Sequence, residues 1–259
     1  MNILITGGKS GIAKRVIEKL GTKYTIYITV HTEKQCELLE KTYQNQDFIH
    51  CLKLDVTNLE DRKKVESLNI DVLICNAAIG VGGSTFELPI SLMRDNFEVN
   101  VFSNLELVQA VFQKMIQKGT GRIIFISSLA GYMPIPFLGS YCASKASINM
   151  ISGTMRLEAK LLPQKIDIIT VLPGLYYTGF NQLMTEDKYS RMDIDTYFKT
   201  SLELLKKYET SVFHLLESKN LDRIASKIVH AATSNRPKSI YRSRPSQIIA
   251  AKLYQLFFT

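Results

Sequence analysis

The chain has 259 residues, of which 46% are hydrophobic and 22% charged, the composition of an ordinary folded protein. This length predicts one domain with a sizeable core. No segment is long and apolar enough to cross a bilayer, and residues 2–6 have the pattern of a strand rather than of a signal peptide. We therefore expect a cytoplasmic protein.

The net charge of +8 predicts attraction to phosphorylated cofactors or acidic surfaces. The densest basic stretch, residues 236–244, matches no nucleic-acid motif and is interpreted as a solvated loop, so no nucleic-acid partner is expected. The cysteines and histidines show no metal-ligand spacing, which predicts core thiols in a reducing compartment and no metal site.

Strand-like and helical patterns alternate along the chain. Strands are predicted over residues 2–6, 24–30, 48–54, 71–75, 122–127, 167–172 and 239–242. Helices are predicted over residues 11–20, 33–43, 59–67, 91–117, 140–161, within 187–208, and over 221–233 and 246–257. This alternation predicts an α/β, doubly wound (Rossmann-type) three-layer fold with a central parallel sheet of about seven strands. We expect one dinucleotide-binding domain over 1–259, with a substrate-loop and helix insertion around 181–220.

The first strand leads into a glycine turn and then a helix, as in a dinucleotide-binding unit. The turn and helix start read Thr6-Gly7-Gly8-Lys9-Ser10-Gly11-Ile12-Ala13. Such a turn brings backbone close to a pyrophosphate at the positive end of the helix. A P-loop would need glycine at position 3, which is Ile3, so nucleoside triphosphate binding is not predicted. Taken alone, the segment also fits a purely structural turn.

Tyr141 and Lys145 form the most informative pair. Four residues apart on a predicted helix, their side chains leave the same face. A phenol has a pKa near 10, and a fixed ammonium beside it lowers that pKa. The pair is therefore predicted to exchange a proton with an alcohol or ketone oxygen. Ser128, at the end of an apolar strand run, could give that oxygen a second hydrogen bond.

Several candidate residues directly follow predicted strands, so they are expected to meet at one edge of the sheet. With the helix residues they form six ordered motifs, through which the chain resembles the short-chain dehydrogenase/reductase family, in the branch whose subunits have about 250 residues. The motifs are Thr6-Gly7-x-x-x-Gly11-x-Ala13, Asp55-Val56, Asn76-Ala77-Ala78, Asn100 within Glu98-Val99-Asn100-Val101, Ser128 with Tyr141-x-x-x-Lys145, and Pro173-Gly174.

The resemblance implies an NAD(P)-dependent oxidoreductase that transfers hydride between nicotinamide and a carbonyl or secondary alcohol. Tyr141 would be the general acid/base, and Lys145 would lower its pKa and bind the nicotinamide ribose. Ser128 would orient the substrate oxygen, and Asn100 would hold a water linking Lys145 to solvent. The remaining cofactor contacts implied are Gly7, Ser10, Gly11 and Ile12 at the pyrophosphate, Asp55 and Val56 at the adenine, Asn76 and Ala77 at the adjoining ribose, and Pro173, Gly174 and Thr178 at the nicotinamide.

The end of the second strand bears on cofactor choice. NAD-preferring members place an acid there, whereas this chain has Val30-His31-Thr32. Lys9, His31 and Thr32 could receive a 2′-phosphate, so NADP is predicted over NAD. NAD stays open because Glu33 is close by.

The substrate is less well defined by the sequence. Residues 129–138, expected near the reacting carbon, are largely apolar, which is equally typical of a pocket for a hydrophobic carbonyl or alcohol and of core packing beneath a loop. By analogy with relatives, the helices at 91–117 and 140–161 predict a homodimer or homotetramer. The final helix, with Ile249, Leu253, Leu256 and Phe257 on one face, is expected to pack on its own domain rather than on a membrane.

Two other functions are considered. A non-catalytic dinucleotide-binding regulator that senses redox state is the main alternative, although it would not need Ser128, Tyr141 and Lys145 together. A hydrolase is disfavoured because Ser128 has no GxSxG elbow and no motif ties a histidine to it.

Overall fold

The computed structural model describes residues 1–192 and 196–258, with the side chains of 257 and 258 left aside. Seven parallel strands form one sheet in the order β3-β2-β1-β4-β5-β6-β7. The strands are β1 (Asn2–Ile5), β2 (Thr25–Val30), β3 (Ile49–Lys53), β4 (Val72–Cys75), β5 (Thr120–Ile126), β6 (Lys165–Leu172) and β7 (Ile240–Arg242). The helices are α1 (Gly11–Leu20), α2 (Glu33–Tyr43), α3 (Leu59–Glu66), α4 (Ile90–Phe97), α5 (Ser103–Lys118), α6 (Gly139–Ala159), α7 (Phe180–Met192), α8 (Lys199–Leu216), α9 (Asp222–Thr233) and α10 (Pro245–Phe258).

The strand order reverses beside β1. Ile3 pairs with Ile26 of β2 on one side and with Val72 of β4 on the other. In an open parallel sheet, such a switch point leaves a crevice beyond the carboxyl ends of the strands, and ligands bind there. The predicted doubly wound fold is therefore confirmed.

Alternate residues of β1 enter two separate cores. Ile3 and Ile5 belong to a cluster with Val16 of α1 and Ile228 of α9. Leu4 faces the other side of the sheet, in a cluster that includes residues of α3, α5 and α6. Apolar residues on both faces are typical of a parallel strand covered by helices on both sides. This explains the near-continuous apolar runs that predicted the strands.

The helix predicted over 91–117 is interrupted. A turn of π-helix over Glu98–Phe102 separates α4 from α5, and the Ser103 amide donates to the Glu98 carbonyl. The apolar spacing did not reveal it. Such turns are frequent at functional sites, and this one carries Asn100.

The predicted insertion contains two helices rather than one region of helix, α7 and α8. Residues 193–195 of that prediction lie outside the described residues. A membrane crossing needs a long apolar helix, and none is found among the residues that the structure describes.

The rotation of α10 differs from the prediction. Ile249, Leu253 and Leu256 are exposed, so the expectation that this face packs on the domain is wrong for these three residues. The Phe257 side chain lies outside the described part. Gln247 is buried instead, and its amide donates to the carbonyls of Leu175 and Leu216. These two hydrogen bonds fix which side of α10 faces inward.

Arg122 of β5 ties the sheet to the end of α9. Its guanidinium pairs with Asp167 and donates to the carbonyls of Ala231, Ala232 and Ser234. Arg122→Met should lower the free energy of unfolding by about 3 kcal/mol, because it leaves a partly buried carboxylate and several carbonyls unpaired. Urea denaturation measures this loss. Arg15→Met, which removes exposed pairs with Glu18 and Asp222, is the control and should leave the denaturation midpoint nearly unchanged. Equal losses would contradict the prediction.

Candidate active site

The glycine turn follows β1 and starts α1. Gly7 has φ +66°, and a Cβ built on Gly8 would lie 1.9 Å from the Ile28 side chain, so both positions need glycine. The Ser10 hydroxyl caps α1 by accepting from the Ala13 amide at 3.1 Å. The turn therefore presents the positive, amide-bearing end of a helix at the switch point of the sheet.

Thr6 and Asn76 hold this turn against β4. The Asn76 side-chain amide donates to the carbonyls of Thr6 (2.8 Å) and Gly7 (3.0 Å). The Thr6 hydroxyl accepts from the backbone amides of Asn76 and Ala77, both at 2.9 Å. The structure thus places the Asn76 side chain on the protein backbone, where sequence analysis expected a ribose contact. The role of Thr6 was missed, although a buried hydroxyl ending an apolar run always needs a partner.

Tyr141, Lys145 and Ser128 meet beyond the carboxyl end of β5. Tyr141 and Lys145 of α6 are both buried, and the Lys145 Nζ lies 5.7 Å from the centre of the Tyr141 ring. The Ser128 hydroxyl lies close enough to the Tyr141 hydroxyl to lower the pKa of the phenol. Lys145 Nζ also donates to the Ile126 carbonyl at 3.1 Å. The structure therefore brings together the three groups that the motif predicted.

The acidities of the pair differ from the expectation. Burial raises the pKa of Tyr141 to about 12, and the hydrogen bond from Ser128 only partly offsets it. Burial likewise lowers the pKa of Lys145 to about 8. Burial thus outweighs the predicted lowering of the Tyr141 pKa by Lys145, because desolvation of the phenolate dominates. The phenol holds its proton at neutral pH.

Asn100 lies in the π turn and is fully buried. Its amide exchanges two hydrogen bonds with the backbone of Ile79, at 2.8 and 2.9 Å, and donates to the Ser144 hydroxyl at 3.0 Å. Asn96 accepts from the same amide and donates to Ser140. These bonds fix α4 and its π turn against α6. The water relay implied for Asn100 stays a prediction.

Asn96, Ser140 and Ser144 were not recognised as site residues. In the sequence, Asn96 and Asn100 are four residues apart, as are Ser140 and Ser144. Each pair therefore lies on one face of its helix. Two polar i, i+4 pairs on neighbouring helices, in otherwise apolar surroundings, are the signal that would have found this network.

The residues expected at the adenosine end line the ends of β2 and β3. His31 is exposed, and its Nδ1 lies 3.5 Å from the Asp55 carboxylate. The Thr32 hydroxyl caps α2 by accepting from the Gln35 amide at 3.3 Å. Lys9 is exposed, and Val56 is buried. Lys9, His31 and Thr32 are thus polar and accessible, whereas Val56 contributes shape.

The loop after β6 closes the site from the other side. The Pro173 carbonyl accepts from the Leu129 amide at 2.9 Å, joining this loop to the segment after β5. Gly174 packs against Gln247, since a Cβ on it would lie 2.3 Å from the Gln247 Oε1. The Thr178 backbone lies near Gly11, where a Cβ would be 3.5 Å from the Thr178 Cα, an ordinary van der Waals contact. The glycine turn and the predicted nicotinamide-side loop therefore face each other.

Helix α7 covers the substrate side of Tyr141. The ring of Phe180 lies 5.8 Å from that of Tyr141, and Met184 packs against Gly80. Tyr141, Met184, Leu138 and Cys142 form a small apolar cluster. Among the described residues, no group of three or more histidine, cysteine or acidic side chains is placed to hold a metal.

A sequence model described as short chain dehydrogenase matches residues 1–189, more than half of the chain. The chain belongs to the short-chain dehydrogenase family. It is 32% identical to a 3-ketodihydrosphingosine reductase of Bacteroides thetaiotaomicron, covering 82% of this chain and 78% of the relative. It is 29% identical to a probable short-chain type dehydrogenase/reductase, VdlC, of Helicobacter pylori, covering 98% and 92%.

Solved structures agree on the fold. A short-chain dehydrogenase of Sphingobium yanoikuyae, solved in complex with NADPH, superposes with a TM-score of 0.73 at 22% identity, covering 99% of this chain and 92% of that one. As a short-chain dehydrogenase, the protein is an oxidoreductase that acts on CH–OH and C=O groups. The predicted family and reaction type are confirmed.

Proposed function

We propose that this short-chain dehydrogenase is an NADP-dependent reductase of apolar carbonyl compounds, with Tyr141 as its general acid. The observation that carries the proposal is the meeting of the Tyr141 and Ser128 hydroxyls with the Lys145 amine at the switch point, next to the glycine turn. Because the phenol is protonated at neutral pH, it is set to donate to a carbonyl oxygen.

The chain offers each group that this reaction needs. Ser128 and Tyr141 donate hydrogen bonds to one substrate oxygen, which fixes the carbonyl and places the acid at the atom where negative charge develops. Lys145 adds positive charge behind the phenol and so stabilises the phenolate left after proton transfer. Asn100 keeps α6 in place through Ser144. A bound nicotinamide would supply the hydride.

The glycine turn fits a dinucleotide. No partner for the backbone amides of Gly11 and Ile12 is found in the described part of the chain, so the first turn of α1 is open to a pyrophosphate. Ser10, Asn76 and Ala77 line this end, Asp55 and Val56 the adenine end, and Pro173, Gly174 and Thr178 the nicotinamide end. Lys9, His31 and Thr32 would hold the 2′-phosphate. In support, several structural neighbours were solved with NADP or NADPH.

Cofactor choice can be tested at His31. We expect wild-type initial rates to be about tenfold higher with NADPH than with NADH at equal, subsaturating concentrations. His31→Asp should reverse the preference, because a carboxylate at the end of β2 repels a 2′-phosphate and accepts from ribose hydroxyls. Lys34→Asp, which places the same charge one helical turn away on exposed α2, is the matched control. A wild-type preference for NADH would overturn the NADP assignment.

An apolar substrate is supported by the cluster around Tyr141, which consists of leucine, methionine, cysteine and phenylalanine side chains. Relatives named 3-ketodihydrosphingosine reductase and NADPH-dependent 3-dehydrocapnine reductase support reduction of a carbonyl compound. The direct experiment is a panel of ketones of increasing chain length, with nicotinamide absorbance as the readout and both cofactors compared. Absence of turnover on every ketone and alcohol would leave the protein without this function.

Assembly and location are part of the proposal. Met150, Leu157 and Leu161 expose apolar side chains on or beside α6, which supports a homodimer or homotetramer through this helix. Light scattering at several protein concentrations would measure the mass directly. We place the protein in the cytoplasm, in keeping with its reduced cysteines.

A further inference from the structure

Helices α8 and α10 expose a row of apolar side chains on the outside of the protein. The row consists of Leu204, Tyr208, Leu215, Ile249, Leu253 and Leu256, which are between 49% and 82% exposed. On α8 these residues follow a spacing of four and seven, and on α10 a spacing of four and three. Each set therefore lies on one face of its helix. We call these six residues the α8–α10 face.

The two helices of this face are adjacent and lie beside the active site. Gln247 of α10 donates to the carbonyl of Leu216, the last residue of α8, at 2.7 Å. Tyr254 of α10 lies close enough to both Tyr208 and Cys142 for each to raise its pKa, although burial is the main cause. Cys142 belongs to the apolar cluster around Tyr141. Helix α10 thus separates the α8–α10 face from the substrate cluster.

The charges around the α8–α10 face are mostly positive. From residue 236 to the end, the sequence has five basic residues and no acidic one. Arg242 and Lys252 of this segment are exposed, and so is Lys207 of α8. The acidic groups of α8 have cationic partners, since Glu203 pairs with Lys206 and Glu209 with Lys188.

We propose that the α8–α10 face docks onto an anionic lipid bilayer, so that apolar substrates enter the active site from the membrane surface. Leucine and tyrosine side chains at helical spacing insert into the boundary between headgroups and acyl chains, while nearby arginine and lysine bind anionic headgroups. A second copy of the chain fits less well at this face, because it would bring the same exposed Lys207, Arg242 and Lys252 to the contact. The bilayer supplies the complementary charge.

The test is flotation of the full chain with vesicles. Binding to phosphatidylcholine–phosphatidylglycerol vesicles is expected to exceed binding to pure phosphatidylcholine vesicles by at least about tenfold. Leu253→Asp/Leu256→Asp should reduce binding to the anionic vesicles at least about tenfold. Leu38→Asp/Leu59→Asp, two exposed leucines on α2 and α3, is the matched control and should bind like wild type.

Charge is tested separately. Arg242→Gln/Lys252→Gln should weaken binding about tenfold, whereas Lys23→Gln/Lys41→Gln, which removes two exposed charges elsewhere, should weaken it less. Flotation needs no turnover, so its result is independent of the proposed reductase activity. Wild type that stays with the unbound fraction would overturn the proposal. So would a smaller oligomer of Leu253→Asp/Leu256→Asp in sedimentation velocity, because the face would then be a subunit interface.

Discussion

Replacing Tyr141 with phenylalanine is expected to lower kcat for ketone reduction by about a thousandfold. The substitution removes only the hydroxyl that donates the proton, while the buried ring keeps its contact with Phe180. Without a positioned acid, the developing alkoxide has only the Ser128 hydrogen bond. The fluorescence titration of NADPH should change little, because the glycine turn and the loop after β6 are untouched.

Tyr241→Phe is the matched control for this substitution. Tyr241 is a buried tyrosine of β7 whose hydroxyl lies 2.7 Å from His230 Nδ1, in the apolar cluster on the face of the sheet opposite α6. Its loss should lower the free energy of unfolding by about 1 kcal/mol and leave kcat near the wild-type value. If Tyr141→Phe kept more than about a tenth of the activity, another group would have to be the proton donor.

The sheet and most helices could be predicted because local patterns determine them. Apolar runs bounded by glycine or polar residues predicted all seven strands, with ends within two residues of those observed. The convergence of Gly7, Asn76 and Ser128 also followed from topology alone, because the carboxyl ends of parallel strands share one edge.

The features that could not be predicted depend on long-range contacts. The π turn at Asn100 is stabilised by the backbone of Ile79 and by Ser144, which lie far away in the sequence. The rotation of α10 is set by Gln247 reaching Leu175 and Leu216. The pKa of Tyr141 is governed by its burial, and burial cannot be read from the Tyr-x-x-x-Lys spacing. Each depends on which surfaces meet after folding.

Lys145→Met is expected to abolish most activity and yet to stabilise the fold. The pKa of Lys145, lowered by burial to about 8 from 10.5, means that burying its charge costs about 3 kcal/mol below pH 8. Methionine fills similar space without a charge and so removes this cost. However, the Ile126 carbonyl loses its hydrogen-bond donor, which lowers the free energy of unfolding by about 1–2 kcal/mol. The net gain is therefore about 1–2 kcal/mol, with kcat/KM at least about a hundredfold lower.

The pH dependence of folding stability provides an independent check that Lys145→Met stabilises the protein at neutral pH. Between pH 8 and 10.5 the unfolded chain binds more protons at Lys145 than the folded chain does, so wild-type stability gains a contribution as the pH rises through this window. Lys145→Met removes that contribution. Urea denaturation should therefore show Lys145→Met as the more stable protein near pH 7 and the wild type as the more stable protein near pH 10.

Lys188→Met provides the contrast, because Lys188 is equally buried but has a partner. Its Nζ donates to one carboxylate oxygen of Glu209 at 2.7 Å. The other oxygen of that carboxylate accepts from the Tyr189 hydroxyl. Removing the ammonium leaves Glu209 partly buried without a cation, so the free energy of unfolding should fall by about 3 kcal/mol. The two substitutions should therefore change the free energy of unfolding in opposite directions. That result would distinguish a buried lysine that serves the reaction from one that stabilises the fold. If both substitutions destabilised the protein equally, Lys145 would be a structural residue and its place in the proposed reaction would be lost.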